Sequence, residues 1–119
     1  MKYGFVYLAW NRSMPGLYKI GCTTIAPLER LKQLGSNTSI PTKFNLLAFC
    51  QTEDPLLFEK ECHSIWSRLR VENDREFFRM NIRHLDEVCE FFQQNGFTPW
   101  VDHEDLLFIC SLNHFGDLA

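Results

Sequence analysis

The sequence of 119 residues lacks several features that assign a chain to a class at once. It has no run of about 18 apolar residues, so we expect no membrane span and no membrane partner. It lacks a charged-then-apolar leader of the secretory type, and its 5 cysteines include no Cys-x-x-Cys pair. An odd, scattered set of cysteines is typical of reduced thiols rather than of a disulfide framework or a zinc site. These absences predict a cytoplasmic protein.

Lys and Arg are absent after Arg83. Residues 1–83 hold all 12 of them against 8 acidic residues, whereas residues 84–119 hold 7 acidic residues. The net charge of −3 therefore combines a mildly basic part with an acidic tail. Because the basic part could still meet a polyanion, the charge of the whole chain does not exclude DNA as a partner.

The apolar content of 45% predicts a single packed domain. Alternating and helical patterns predict three strands, a short extended piece and four helices. The strands are expected at residues 4–10, 17–22 and 43–51, and the extended piece at 76–78. The helices are expected from Pro27 to Gly35, from Pro55 to about Arg70, from Ile82 to Gln94, and after a cap at Asp102. The layout predicts an α+β fold, with a three-stranded antiparallel sheet flanked by helices and a C-terminal helical extension.

A turn at Pro15-Gly16 predicts that the first two strands form a hairpin. If paired residue numbers sum to 26, Tyr7 faces Lys19, and the small residues Ala9 and Gly21 lie on the same face. The opposite face would then be the core side, formed by Val6, Leu8, Trp10, Tyr18 and Ile20.

The order of several polar residues resembles the GIY-YIG nuclease superfamily. The matching positions are Tyr7, Tyr18-Lys19-Ile20-Gly21, Arg30, the Glu59–His63 segment and Glu76-Phe77-Phe78. The chain is most similar to the phage- and fungal-type branch, in which Lys-Ile-Gly replaces Tyr-Ile-Gly. The similarity covers roughly Tyr3 to Met80 and implies a nuclease-like domain over residues 1–80. Residues 81–119 would be an acidic helical extension packed on the same domain.

The resemblance implies catalytic roles for five residues. Tyr7 would be the general base, and the ammonium of Lys19 beside it would favour the phenolate. Arg30 would clamp phosphate, and Glu59 would hold Mg²⁺ or Mn²⁺. The alternative is that Tyr7 is a packed strand aromatic, with Lys19, Arg30 and Glu59 as solvated charges. His63 would orient Glu59 or a water, or instead hydrogen-bond to the Glu76 segment.

Other positions are expected at the edge of such a site. Thr23 matches a small hydroxyl position and is a candidate for phosphate contact. Arg68 and Arg70 would meet the DNA backbone, or else form a solvated helix end. Phe77 and Phe78 fit a core better than a base-stacking platform. Glu61 should point away from the face that Glu59 and His63 share.

These residues together predict a metal-dependent endonuclease that hydrolyses DNA phosphodiester bonds. The alternative is a catalytically silent module of the same fold that binds DNA or a protein partner. A third possibility is that the apolar segment from Leu106 to Leu112 pairs two chains or docks to a larger complex.

Overall fold

The computed structural model describes residues 3–36, 43–71 and 76–118. Its elements are β1 (Gly4–Trp10), β2 (Leu17–Thr23), α1 (Pro27–Ser36), β3 (Asn45–Thr52), α2 (Pro55–Ile65), β4 (Phe77–Arg79), α3 (Ile82–Asn95), β5 (Phe97–Val101) and α4 (His103–Leu118). A 3₁₀ turn at Ser67–Leu69 follows α2. The predicted α+β class is confirmed.

The sheet has five strands in the order β4-β2-β1-β3-β5, with antiparallel neighbours throughout, so the predicted three-stranded sheet was wrong. The two added strands lie at the edges. β4 has only 3 residues, and β5 contains Pro99, which an edge strand tolerates because one of its sides needs no backbone donor. Thr98 in β5 also has a positive φ of 42°. Short or Pro-containing strands give little alternation for a sequence pattern to detect.

The hairpin register also differs from the prediction. Paired residue numbers sum to 28, so Tyr7 lies opposite Gly21 and Ala9 lies opposite Lys19. The turn causes this shift, because the Met14 amide donates to the Asn11 carbonyl and the Leu17 amide to the Met14 carbonyl. A shift of two residues preserves which side chains share a face. Tyr7 and Lys19 are therefore diagonal neighbours on one face rather than direct partners.

The core lies on the face predicted for it. Val6, Leu8, Trp10, Tyr18 and Ile20 are all buried there, which confirms the predicted alternation. Helices α2 and α3, with Trp66 just after α2, cover this face; the helix residues are Phe58, Cys62, Leu85, Val88 and Phe92. Because α3 fills the centre of the core, it is structurally continuous with the sheet. The predicted boundary at residue 80 stays a prediction.

Helix α2 is shorter than predicted, since it ends at Ile65 rather than near Arg70. The chain then tightens: the Leu69 amide donates to the Trp66 carbonyl, and the Arg70 amide donates to the Ser67 carbonyl. The Trp66 indole is buried and donates to Glu87 on α3 at 3.4 Å. Arg68 therefore lies in the 3₁₀ turn and Arg70 directly after it, so neither residue belongs to α2.

Over residues 103–112, whose side chains the structure describes, helix α4 packs through only part of its surface. Ile109 is buried and Leu106 is half-buried against the core, whereas Leu107, Phe108 and Leu112 are exposed. Self-association or partner docking through this segment stays a prediction. Within the described ranges, no helix combines the length and apolar character needed to cross a membrane.

The opposite face of the sheet carries a smaller cluster. Tyr7 and Ala9 pack there against Leu31 of α1 and Leu46 of β3. Residues of this thinner layer are close to solvent at its rim, where Arg30 is half-buried. Tyr7 and Lys19, two of the predicted site residues, lie on this face, whereas Glu59 and His63 are carried by α2 on the other side of the sheet.

We predict that replacing Leu85 on α3 will show how far the core depends on residues beyond 80. Leu85 is fully buried, so Leu85→Ala should lower the free energy of unfolding by about 2–5 kcal/mol in urea titrations. Leu56→Ala is the matched control, because that helix leucine is 73% exposed and should change stability by less than about 0.5 kcal/mol. Similar values for both variants would mean that α3 is dispensable for the core.

Candidate active site

The phenol of Tyr7 is the centre of the polar cluster. Tyr7 lies in the middle of β1, is 1% exposed and leans across Gly21 of the neighbouring strand. A Cβ atom on Gly21 would lie 2.5 Å from the Tyr7 hydroxyl oxygen. Glycine at this position therefore makes room for the phenol of Tyr7.

Burial is the main reason that the pKa of Tyr7 rises to about 12. The negative charge of Glu76 raises the pKa further, and that of Glu59 does so least. Arg30 acts in the opposite direction, through its positive charge and through a hydrogen bond with the phenol. Tyr7 is therefore a neutral phenol at physiological pH, with a cation and two carboxylates near enough to influence it.

Lys19 is held by Glu76. The Lys19 ammonium is almost completely buried and forms an ion pair and hydrogen bond with the Glu76 carboxylate. The same ammonium lies 5.4 Å from the centre of the Phe77 ring. The Glu76 backbone is fixed as well, since its carbonyl accepts from the Ile20 amide at 3.1 Å. The ammonium is thus neutralised by a carboxylate instead of acting on Tyr7 alone.

Glu59 reaches the cluster from α2. Its carboxylate accepts a hydrogen bond from the Cys22 thiol, and burial followed by this bond raises the pKa of Cys22 to about 12. His63, one turn further along α2, places Nε2 at 4.0 Å from Oε1 of Glu59. Glu61 is exposed on another side of the helix, as expected. Glu59 and His63 therefore share the face that turns toward β2.

His63 is pinned to the sheet. Its Nε2 lies 2.9 Å from the carbonyl oxygen of Ile20, and because a carbonyl can only accept, Nε2 carries the hydrogen. The ring also packs 5.1 Å from that of Phe78. The expected hydrogen bond to the Glu76 segment is replaced by this bond to β2. A role for His63 in orienting Glu59 stays a prediction.

Thr23 is committed to a local turn. It is 8% exposed, and its hydroxyl both accepts from the Ile25 amide and donates to the Ile25 carbonyl. These bonds give Thr23 a structural role at the start of α1. Contact with phosphate stays a prediction for this residue. Arg30, one turn into that helix, additionally donates to Gln33 at 3.4 Å.

Arg68 and Arg70 do converge, and a third arginine joins them. Arg68, Arg70 and Arg79 line a shallow concavity of about 400 Å³ with Leu69 and Val71. All three arginines are exposed, and the Arg70 guanidinium lies 5.6 Å from the centre of the Phe78 ring. Guanidinium groups gathered at a concave surface suit the phosphates of a nucleic-acid backbone.

A divalent cation would depend on Glu59 as its protein ligand. No group of three or more His, Cys, Asp and Glu side chains is arranged to hold a metal within the described ranges. Glu59 would supply one half-buried carboxylate, and Mg²⁺ coordination can use a single carboxylate with water and substrate phosphate, so a metal at Glu59 stays a prediction.

Three residues at this surface received no role from the sequence. The role of Glu76 could have been predicted, because a buried lysine on an inner strand needs a carboxylate partner, and Lys19 lies on such a strand. Arg79 follows Phe77 at an interval of two, which places both on one face of β4. Cys22 gave no signal, since a cysteine on a strand is usually a small core residue.

Comparison with protein families identifies one match, described as the T5orf172 domain, over residues 4–93. The match covers most of the chain, which therefore belongs to this family. The family is associated with phage nuclease-type domains and is compatible with a nuclease-like or DNA-binding module. Neither curated proteins nor solved structures gave a match.

The Lys19–Glu76 pair should stabilise the fold as a coupled unit. Glu76→Gln leaves a buried ammonium without its carboxylate, so we expect a loss of about 1–3 kcal/mol in the free energy of unfolding. Combining it with Lys19→Met should cost less than the sum of the single changes, measured by urea unfolding of all four proteins. Glu90→Gln, an exposed change on α3, should have little effect. Strictly additive losses would show that the two groups act independently.

Proposed function

We propose that this member of the T5orf172 domain family is a metal-dependent endonuclease of GIY-YIG type that hydrolyses DNA phosphodiester bonds. The observation that carries the proposal is the convergence on Tyr7 of the Arg30, Glu59 and Glu76 charges. A phenol, a guanidinium and carboxylates around one point are the groups that hydrolysis of a phosphodiester requires.

Tyr7 is proposed as the general base. Its hydroxyl oxygen accepts the proton of a water molecule that attacks the phosphorus, and the bond to the leaving oxygen then breaks. Only the phenolate form of Tyr7 can accept this proton. Because the pKa of Tyr7 is about 12, the main requirement of the proposed mechanism is to stabilise the phenolate. Arg30 contributes to this stabilisation, because it donates a hydrogen bond to the phenol and lowers the pKa of Tyr7.

Arg30 and Lys19 are proposed to stabilise the charge on phosphate during attack. Arg30 has the planar geometry for two phosphate oxygens. Glu76 and the Phe77 ring fix the position of the Lys19 ammonium before substrate arrives. Mg²⁺ or Mn²⁺ bound to Glu59 would supply Lewis-acid charge near the leaving oxygen. Arg68, Arg70 and Arg79 would hold the DNA backbone beside the site.

A second candidate is a catalytically silent module that binds DNA or a protein partner. Two observations favour it: the high pKa of Tyr7 and the neutralisation of Lys19 by Glu76. Both keep Tyr7 in the form that cannot accept a proton. The two candidates make opposite predictions for turnover, so an activity measurement separates them.

Plasmid nicking in Mg²⁺ or Mn²⁺ is the direct test. Tyr7→Phe and Glu59→Gln should each lower the nicking rate by at least about a hundredfold, because general-base and metal contributions are of that order. Tyr3→Phe and Glu61→Gln are matched controls, since both residues are exposed, and should leave the rate unchanged. If all five proteins nick at one rate, the activity comes from a contaminant. If none nicks, the silent module is favoured.

The pH dependence tests the base itself. Because the pKa of Tyr7 is about 12, only about one phenol in a hundred thousand is ionised at pH 7. The nicking rate of the wild-type protein should therefore rise about tenfold per pH unit between pH 7 and 9 under single-turnover conditions. Tyr7→Phe should remove this rise, while Tyr3→Phe should retain it. A flat wild-type profile would exclude Tyr7 as a base with a raised pKa.

A further inference from the structure

A second concave surface lies on the Tyr7 side of the sheet, between α1 and the start of β3. Its volume is about 370 Å³, which falls within the usual range of ligand pockets. The apolar walls are formed by Leu28, Leu31, Phe44 and Leu46. The remaining lining residues are Lys32, Lys43 and Asn45.

This pocket adjoins the candidate active site. Leu31 and Leu46 belong to the same cluster as Tyr7, so one layer of side chains forms part of both surfaces. Two ring contacts make a second connection: Phe44 lies 5.8 Å from Phe77, and Phe77 lies 5.4 Å from the Lys19 ammonium. A ligand with a phosphate near Lys19 can therefore extend into the pocket over adjacent aromatic rings.

The chemistry of the lining selects a flat apolar group that carries negative charge. Apolar and aromatic walls favour the face of a ring, while the two lysines favour an anion at the rim. The described lining residues include no Asp or Glu to oppose that anion. A nucleotide combines these properties, but a base inside a duplex is stacked and cannot enter. An unpaired base can enter such a pocket and lie against an aromatic ring.

We propose that this pocket binds an unpaired nucleobase of a DNA strand whose neighbouring phosphate occupies the candidate active site. Lys32 and Lys43 then contact the phosphate on the other side of that base. The proposal rests on the proposed DNA function and adds a substrate class, namely single-stranded or locally unpaired DNA.

The test compares two duplexes that differ by one base. Both are fluorescein-labelled 12-bp DNAs with one extra nucleotide in one strand, either a thymidine or an abasic residue. Their affinities for the full chain are measured by fluorescence anisotropy in EDTA, so that no cleavage occurs. We expect about tenfold tighter binding of the thymidine bulge, as one stacked base provides. Equal affinities would overturn the proposal.

The variant Leu28→Glu tests whether the preference for the thymidine bulge arises in this pocket. Leu28 is 63% exposed, so this change adds a carboxylate at the mouth of the pocket with little cost to folding. It should reduce the preference for the thymidine bulge to less than about twofold. Leu57→Glu, at another exposed helix leucine outside the pocket, makes the same change in charge and should retain the preference. If both variants retain it, the base binds elsewhere and the proposal is overturned. If Leu28→Glu does not fold, Lys43→Gln takes its place, with Lys60→Gln as the exposed control.

The outcomes distinguish this proposal from the one on which it rests. A protein that shows Tyr7-dependent nicking but binds both bulges equally overturns the base pocket alone. A protein that prefers the thymidine bulge but never nicks DNA overturns the endonuclease alone. A protein that binds neither DNA and does not nick the plasmid overturns both.

Discussion

The structure around the candidate site depends on the pairing of Lys19 with Glu76. An ammonium buried on an inner strand is costly unless a carboxylate accompanies it, and Glu76 is that carboxylate. The bond from the Ile20 amide to the Glu76 carbonyl holds the same segment by its backbone. Together these contacts bring β4 against β2, which places Phe77 under the ammonium and Arg79 beside Arg68 and Arg70. One ion pair therefore organises both the centre of the site and its basic rim.

Membership of the α+β class and the identity of the core face could be predicted from the sequence, because alternation along β1 and β2 is regular. Val6, Leu8 and Ile20 needed only that pattern to be placed in the core. The register could not be predicted, since it depends on backbone bonds within the turn at Asn11 and Met14. The edge strands were harder to predict for a related reason: β4 was expected only as an extended piece and β5 was missed, because each strand is short and is defined by its hydrogen bonds to a neighbouring strand.

Within the candidate site, the sequence proposed individual residues but not the contacts between them. Tyr7, Lys19, Arg30 and Glu59 were selected by order and spacing, and the charges of Arg30 and Glu59 do reach the phenol. Order could not show that Glu76 influences Tyr7 more strongly than Glu59 does. Nor could it show that Gly21 serves the phenol or that Cys22 bonds to Glu59. These contacts depend on the register between β1 and β2 and on where α2 lies against the sheet, which the order of residues does not specify.

The charge balance around Tyr7 gives a physical reason for a divalent cation in the proposed reaction. Lys19 and Arg30 contribute two positive charges, and Glu59 and Glu76 contribute two negative ones, so these four groups sum to zero. A phosphodiester adds one negative charge and would favour the neutral phenol still more. A divalent cation reverses the sign, leaving one net positive charge, which favours the phenolate. In the proposed reaction, formation of the phenolate would therefore depend on the cation, because the substrate's charge alone opposes it.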